Sequence, residues 1–205
     1  MKLELPGQAR LIALLLAAVV AGCGARDDTA QRFHATDITG VAWGSGFELT
    51  DHTGQRRSLA DFRGKVVLLF FGFSHCPDHC PTALAEMAVM VKQLGSDSDR
   101  VQGIFVTIDP ERDTAERLAS YITAFNPSFI ALRGSPEEIA RAAAEFKVFY
   151  RAYDKEGARD GDYSIEHSDA MFAFDPRGKL RLYVGERDRT IENLLADVRL
   201  LLGGG

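Results

Sequence analysis

Cysteine and clustered positive charge are both scarce in this chain, and each shortage excludes a class of protein. Three cysteines in 205 residues are too few for a fold held together by disulfide bonds. The formal net charge is -5 and the basic residues form no stripe, so we expect no nucleic-acid partner. Internal repeats are also lacking. The rest of the composition, 46% hydrophobic and 26% charged, is typical of one globular domain.

The amino terminus resembles that of an exported lipoprotein. Residues 11–21 form an uninterrupted apolar run, which is too short to span a bilayer but suits the core of a signal peptide. The run ends in Val20-Ala21-Gly22-Cys23, which resembles the motif at which bacterial lipoproteins are cleaved and lipidated. We therefore expect Cys23 to carry a lipid. An ordinary signal peptide or an uncleaved anchor is the alternative.

This interpretation divides the chain into three parts. Residues 1–22 are predicted to be a lipoprotein signal peptide, residues 23–32 a tether, and residues 33–205 the folded domain. The domain is expected to be exported and anchored at a membrane, facing the periplasm or the cell exterior. The choice between inner and outer membrane stays open. Disulfides can form in such a compartment.

Strand and helix patterns alternate along the folded domain and predict an α/β fold. Runs rich in β-branched and aromatic residues are typical of buried strands, and apolar residues at helical spacing predict amphipathic helices. The predicted strands are 66–72, 101–108, 129–132 and 148–153, and the predicted helices are 81–94, 114–125, 136–147 and 191–202. Hairpins are expected at 47–59 and 170–184, and an exposed loop at 154–166. Together these elements predict a central mixed sheet flanked by helices, with an amino-terminal β-hairpin.

Cys76 and Cys80 stand between the predicted strand 66–72 and the helix that follows it. Ligands gather at the carboxyl ends of strands in open α/β sheets. Backbone N–H groups at a helix start also stabilise a thiolate, which lowers the pKa of a cysteine there. Because Cys80 begins the apolar side of the helix, we expect it to be the more buried of the two.

Four interpretations of this pair are open. Two thiolates suit copper(I), which needs only two or three ligands. The pair can also close a disulfide, and as a redox dithiol it would exchange with a substrate disulfide. A structural zinc site would need two further ligands, and the chain has no second cysteine pair. The fourth interpretation is an inert disulfide.

His167 is the candidate for a third ligand. It lies in a distant segment, directly before the predicted hairpin 170–184, whereas His75 and His79 flank the cysteines and are expected to face solvent. An imidazole with two thiolates makes a three-coordinate copper site. A surface histidine at a strand edge is the alternative.

Neighbouring residues allow several supporting roles. The segment 109–113 is either a loop that docks a partner or supports the ligands from behind, or a turn in which Asp113 caps the next helix. Glu166 either orients the imidazole or is solvated. Phe70, Phe71 and Phe73 are expected to be core residues, with Phe73 left open as a contact of the site.

Several motifs together resemble one family, the Sco/SenC proteins. They are FFGFSHCPDHCPT at 70–82, TIDPERDT at 107–114, LRGSPEEI at 132–139 and EHSDAMFAFDPRG at 166–178. The resemblance extends from about residue 33 to 201. It implies a thioredoxin-like fold and one copper ion per chain, bound by Cys76, Cys80 and His167.

The resemblance also implies a role. Sco/SenC proteins act as copper metallochaperones in the assembly of the copper A site of cytochrome c oxidase, with subunit II of the oxidase as partner. Other periplasmic copper chaperones or thiol reductants are further expected partners. The alternative is a thiol–disulfide reductase that keeps the subunit II cysteines reduced, with Cys76 and Cys80 as a redox-active pair that forms a disulfide when oxidised. We thus expect a binding protein rather than a turnover enzyme.

Overall fold

The computed structural model describes residues 33–154 and 163–203. Ten strands and four α-helices lie within these ranges. The strands are β1 (Thr36–Asp37), β2 (Glu48–Asp51), β3 (Arg56–Ser58), β4 (Val66–Gly72), β5 (Val101–Thr107), β6 (Ile130–Arg133), β7 (Tyr150–Asp154), β8 (Tyr163–His167), β9 (Met171–Phe174) and β10 (Leu180–Val184). The helices are α1 (His79–Gln93), α2 (Ala115–Phe125), α3 (Pro136–Glu145) and α4 (Ile191–Gly203).

Eight of the strands form one mixed sheet in the order β1-β10-β9-β4-β5-β6-β2-β3. The strands β4, β5 and β6 run parallel, and the remaining neighbours are antiparallel. This arrangement confirms the predicted mixed sheet, and the β2–β3 pair confirms the amino-terminal hairpin. The register joins Gly72 at the end of β4 to Thr107 at the end of β5, so the two strands end side by side.

The centre of this sheet is the core of the domain. Every residue of β4 and β5 is buried, as expected for parallel strands that are covered on both faces. The helix α1 packs against α4 and places Leu84, Met87 and Met90 in the same core. Because the strands are anchored along their whole length, the loops at their carboxyl ends start from rigid positions.

The remaining two strands, β7 and β8, pair only with each other and form a separate antiparallel sheet. The prediction of an exposed loop was therefore wrong for residues 163–166, which belong to β8. Two adjacent residues of this strand, Ser164 and Ile165, are buried, and Glu166 after them is exposed. A polar strand that lies outside the main sheet carries little of the hydrophobic pattern by which strands are recognised. Residues 155–162 lie outside the described part of the chain.

Two helix starts also differ from the prediction. Helix α1 begins at His79 and not at Pro81. Helix α2 is capped by Thr114, whose hydroxyl accepts the backbone N–H of Arg117, so the interpretation of Asp113 as the cap was wrong. The predicted cap of α3 is confirmed, because Ser135 and Glu138 form a reciprocal capping box.

The predicted signal peptide, the lipidated Cys23 and the tether all lie outside the described residues. Within residues 33–154 and 163–203, no helix has both the length and the apolar character needed to cross a bilayer.

Candidate metal centre

The cysteine segment, residues 74–80, connects the end of β4 to the first turn of α1. Cys76 is half-buried in this loop, and Cys80 in the first turn of the helix is fully buried. The predicted difference in burial is thus confirmed. The backbone N–H of Cys80 points at Cys76 Sγ, with 3.4 Å between nitrogen and sulfur. The helix start therefore offers a hydrogen bond to the more exposed sulfur.

Gly72 is required for the close approach of Cys80 to the sheet. A Cβ atom at this position would lie 2.7 Å from Cys80 Sγ and 2.8 Å from the Phe105 ring. Both distances are shorter than van der Waals contact, so any larger residue would push the thiol away from the sheet. The glycine at the end of β4 thus determines how deeply Cys80 is buried.

His167 is the last residue of β8, and its ring lies beside Cys80. The distance between His167 Nε2 and Cys80 Sγ is 3.7 Å. The other ring nitrogen, Nδ1, lies 2.9 Å from the carbonyl oxygen of Ser168. A carbonyl only accepts hydrogen bonds, so Nδ1 carries a proton. In the neutral ring the lone pair of Nε2 then faces the sulfur.

Two aromatic rings enclose the imidazole. Phe70 and Phe73 both meet the His167 ring edge to face, with centroid distances of 6.3 and 5.9 Å. Phe71 instead packs on Phe146 in the core, with a centroid distance of 5.5 Å. Phe73 is therefore a wall of the site, and Phe70 serves both the core and the site. Such walls limit the orientations of the ring and exclude water from one side.

The three side chains shift one another's protonation. The hydrogen bond with the Cys80 side chain lowers the pKa of Cys76 far below its usual range, although burial opposes this shift. The same hydrogen bond, together with burial, raises the pKa of Cys80. Burial lowers the pKa of His167, but hydrogen bonds with Cys76 and with the Ser168 carbonyl outweigh it, so the net pKa is raised. At neutral pH the pair is thus one thiolate and one thiol.

A buried carboxylate holds the cysteine segment against the sheet. Asp113 is fully buried and accepts hydrogen bonds from the backbone N–H and the hydroxyl of Ser74 and from the hydroxyl of Thr107. Ser74 Oγ also accepts a 2.6 Å hydrogen bond from Arg117 Nε. Since Thr107 ends β5, this network joins the cysteine segment to the neighbouring strand.

A second network holds the start of β8. The Tyr163 hydroxyl donates to Asp109 Oδ1 at 2.6 Å, and Arg112 donates to the Tyr163 carbonyl at 2.8 Å. The Arg112 guanidinium also pairs with Asp109 and stacks on the Tyr163 ring, 3.5 Å from its centroid. The segment 109–113 thus supports both halves of the site, which confirms its predicted supporting role and contradicts the interpretation of a plain turn and cap. Sequence reasoning missed Tyr163, because its partners lie more than fifty positions away.

The remaining candidates, His75, His79 and Glu166, are all exposed. His75 Nδ1 lies 3.8 Å from Asp113, and His79 Nδ1 lies 3.6 Å from Glu186. Each histidine belongs to a small group of acidic side chains in which donor atoms lie within 4.8 Å of one another. Glu166 is exposed and pairs with Arg151 at 2.9 Å, so the hypothesis that it orients the imidazole was wrong. The Ser168 carbonyl has that role.

Comparison with known proteins gives a consistent result. Residues 35–203 match the model of the SCO1/SenC family. The human protein "SCO2 homolog, mitochondrial" is 42% identical over 162 residues, covering 78% of this chain and 60% of the human protein. The chain spans from about half to two thirds of the length of the curated relatives it matches first.

Solved structures agree with the sequence comparison. Copper-bound ScoI of Bradyrhizobium japonicum superposes with a TM-score of 0.71 at 35% identity, covering 78% of this chain and all of that one. Apo Sco1 of Thermus thermophilus superposes with a TM-score of 0.74 at 36% identity, covering 85% of this chain and 99% of that one. These likenesses confirm the predicted thioredoxin-like fold.

Proposed function

This chain belongs to the SCO1/SenC family, and from that membership we propose that it binds one copper ion and passes it on during assembly of cytochrome c oxidase. Relatives and structural neighbours include proteins whose structures hold copper. In this chain the proposed ligands are Cys76, Cys80 and His167. The proposed recipient is the copper A site in subunit II of the oxidase.

One observation carries the proposal. The imidazole of His167, from a separate two-stranded sheet, meets the buried thiol of Cys80 at 3.7 Å, with Nε2 and not Nδ1 facing the sulfur. Cys76 Sγ, in the loop before this helix, lies 3.4 Å from the Cys80 backbone nitrogen. Two sulfurs and one imidazole nitrogen form the soft donor set that copper(I) prefers, and they also suit copper(II).

The unequal protonation of the two thiols is suited to a cargo that must be released. The lowered pKa of Cys76 favours its thiolate form, whereas the raised pKa of Cys80 means that this thiol has to lose a proton when copper binds. Copper binding should therefore release about one proton from Cys80, and a partner that protonates or replaces this ligand favours release. The half-exposed position of Cys76 gives such a partner direct access to one ligand.

The test is a titration of the fully reduced chain with copper(I), followed by metal analysis and X-ray absorption. The expected result is one copper per chain with two sulfur neighbours and one nitrogen neighbour. The next step is transfer to a soluble fragment of oxidase subunit II. Absence of tight copper binding by the reduced chain would remove the proposal.

His167→Ala tests the histidine as a ligand. We expect it to lower copper affinity at least about 10-fold, because loss of a ligand costs no less than loss of a group that only supports one. His52→Ala is the matched control, since His52 bonds the backbone of Ala131 far along the sheet. Equal copper affinity of the His167→Ala variant and the wild type would overturn the assignment.

A second function has its own support in the structure. A half-exposed thiolate beside a buried thiol is the arrangement of a thiol–disulfide reductase. Cys76 would attack a sulfur of the target disulfide, and Cys80 would then attack Cys76 and release the reduced target. Two electrons pass to the target, and a Cys76–Cys80 disulfide remains. The His167→Ala variant separates the functions, because this exchange needs both sulfurs but no third ligand.

We also propose that the chain reaches this role as an exported, membrane-anchored lipoprotein. Residues 1–22 would be removed and Cys23 lipidated, which keeps residues 33–205 beside a membrane-bound oxidase. Mass spectrometry of the protein isolated from membranes tests this directly. A Cys23→Ser variant should lack the lipid mass and leave the membrane fraction.

A further inference from the structure

A buried arginine lies next to the proposed copper site but is not one of the proposed ligands. Arg189 is 3% exposed and lies on the turn before α4. A guanidinium stays charged at every accessible pH, so its burial is tolerated only when acidic groups and acceptors surround it. The identity of those partners shows what the arginine connects.

Both partners come from elements that carry proposed ligands. Arg189 Nε donates to Glu86 at 3.0 Å, and Glu86 lies on α1, six positions after Cys80. The two terminal nitrogens of Arg189 donate to the carboxylate of Asp169 at 3.2 Å, and one of them also to the Asp169 carbonyl at 3.3 Å. Asp169 lies two positions after His167. The arginine thus joins the cysteine helix to the segment that follows the histidine.

This segment decides where the imidazole points. His167 ends β8, and the main sheet resumes only at Met171 in β9. The Ser168 carbonyl, which holds His167 Nδ1, belongs to the peptide bond between Ser168 and Asp169. Fixing both the side chain and the carbonyl of Asp169 therefore restricts the peptide that orients the ring.

The arginine also lies near the wall of the site. Its guanidinium carbon is 5.7 Å from the centroid of the Phe70 ring, and the same ring meets His167 edge to face. Arg189 is thus linked to the imidazole by two routes, through the backbone of Asp169 and through Phe70.

We propose that Arg189 is a positioning residue, which holds His167 Nε2 against the Cys80 thiol by tying Asp169 to Glu86. This role rests on the proposed function and extends it, since it explains how a ligand outside the main sheet keeps its place. Lysine cannot replace the arginine, because one ammonium group does not reproduce a planar set of donors directed at two separate acids.

The first measurement needs no metal. Nuclear Overhauser contacts between the rings of His167 and Phe73 are measured in the wild type and in Arg189→Lys. Both proteins are reduced and free of copper. We expect the contacts to weaken in Arg189→Lys. They should persist in Arg181→Lys, a matched control in which the arginine pairs with Asp175 on another part of the sheet. Unchanged contacts in Arg189→Lys would overturn the proposal.

The second measurement is a double-mutant cycle for copper affinity. Arg189→Lys alone should weaken copper binding about 10-fold, as expected for loss of a group that orients a ligand. In the His167→Ala background the same substitution should have no further effect, because the arginine acts through the histidine. An equal loss in both backgrounds would show a general effect on the fold and overturn the positioning role.

A further variant guards against misfolding. Should Arg189→Lys not fold, Glu86→Gln removes one acid while the pair between Arg189 and Asp169 remains. Glu86→Gln should weaken the ring contacts and lower copper affinity by less than Arg189→Lys does. Wild-type ring contacts and copper affinity would count against the proposal. A wild-type chain that binds no copper would refute the proposed function, while the ring contacts would still decide the role of Arg189.

Discussion

The cysteine segment and the β7–β8 hairpin, which ends in His167, meet at one site but are held in place differently. Residues 74–80 continue from the central strand β4, and their anchor, Asp113, is fully buried in the main domain. His167 ends a strand that pairs only with β7, and its anchor, Tyr163, is half-buried. One half of the site therefore continues directly from the core, whereas the other half is attached to it by side-chain contacts, among them buried Ile165 and the polar anchor Tyr163.

The largest effect should come from breaking the anchor of the cysteine segment. Asp113→Ala leaves three donors, two from half-buried Ser74 and one from buried Thr107, without their acceptor. We expect the free energy of unfolding to fall by about 3 kcal/mol. Urea denaturation measures it, with Asp61→Ala as control, because Asp61 is exposed and caps a short helical turn. A loss below about 1 kcal/mol would contradict the comparison, since that is the size of one ordinary hydrogen bond.

The pH dependence of thiol reactivity distinguishes Cys76 from Cys80 within the cysteine segment. Because the pKa of Cys76 is far below the usual range, its thiolate persists as the pH falls from 8 to 5. Alkylation of Cys76 should therefore be nearly independent of pH there, and at pH 5 about 10-fold faster than that of a free thiol. Buried Cys80, with its raised pKa, should stay unmodified.

Peptide mapping after brief alkylation with iodoacetamide measures both sites. The His167→Ala variant removes one of the hydrogen bonds that lower the pKa of Cys76, so its alkylation should begin to depend on pH. A wild-type rate that falls tenfold per pH unit below pH 8 would show an ordinary thiol and contradict the prediction.

Breaking the anchor of the β7–β8 hairpin should lower the free energy of unfolding by less. Tyr163→Phe keeps the ring that stacks on Arg112 but removes the hydrogen bond to Asp109. We expect the free energy of unfolding to fall by about 1 kcal/mol. Faster hydrogen exchange should be confined to β7 and β8 and leave β4 and β5 unchanged. Exposed Tyr183 provides the control as Tyr183→Phe, and faster exchange throughout the main sheet would show that the two regions are not separable.

The smallest effect is expected next to the histidine itself. Glu166 is exposed, and its ion pair with Arg151 lies at the surface. Glu166→Gln should change stability by less than about 0.5 kcal/mol, as is usual for exposed ion pairs. Copper affinity should be unchanged within experimental error. A clear loss of affinity would mean that the carboxylate, and not the Ser168 carbonyl, orients the imidazole.

The central part of this protein was predictable from its amino-acid sequence alone. Strand β4 and the helix after it were predictable, because a continuous apolar run and apolar residues at helical spacing record burial directly. The unequal burial of Cys76 and Cys80 followed from the same pattern. The pairing of Cys76 and Cys80 with His167 also came from the sequence, but only through resemblance to a family and not through spacing.

The way in which the histidine reaches the cysteines became clear from the three-dimensional contacts and not from the sequence. Strand β8 has a polar pattern, so its pairing with β7 outside the main sheet left no clear trace in the sequence. The contacts that hold it, from Asp109 and Arg112 to Tyr163 and from Arg189 to Asp169, join residues that are far apart along the chain. Polar contacts of this kind depend on distance and direction in space, and neither is recorded in local periodicity or composition.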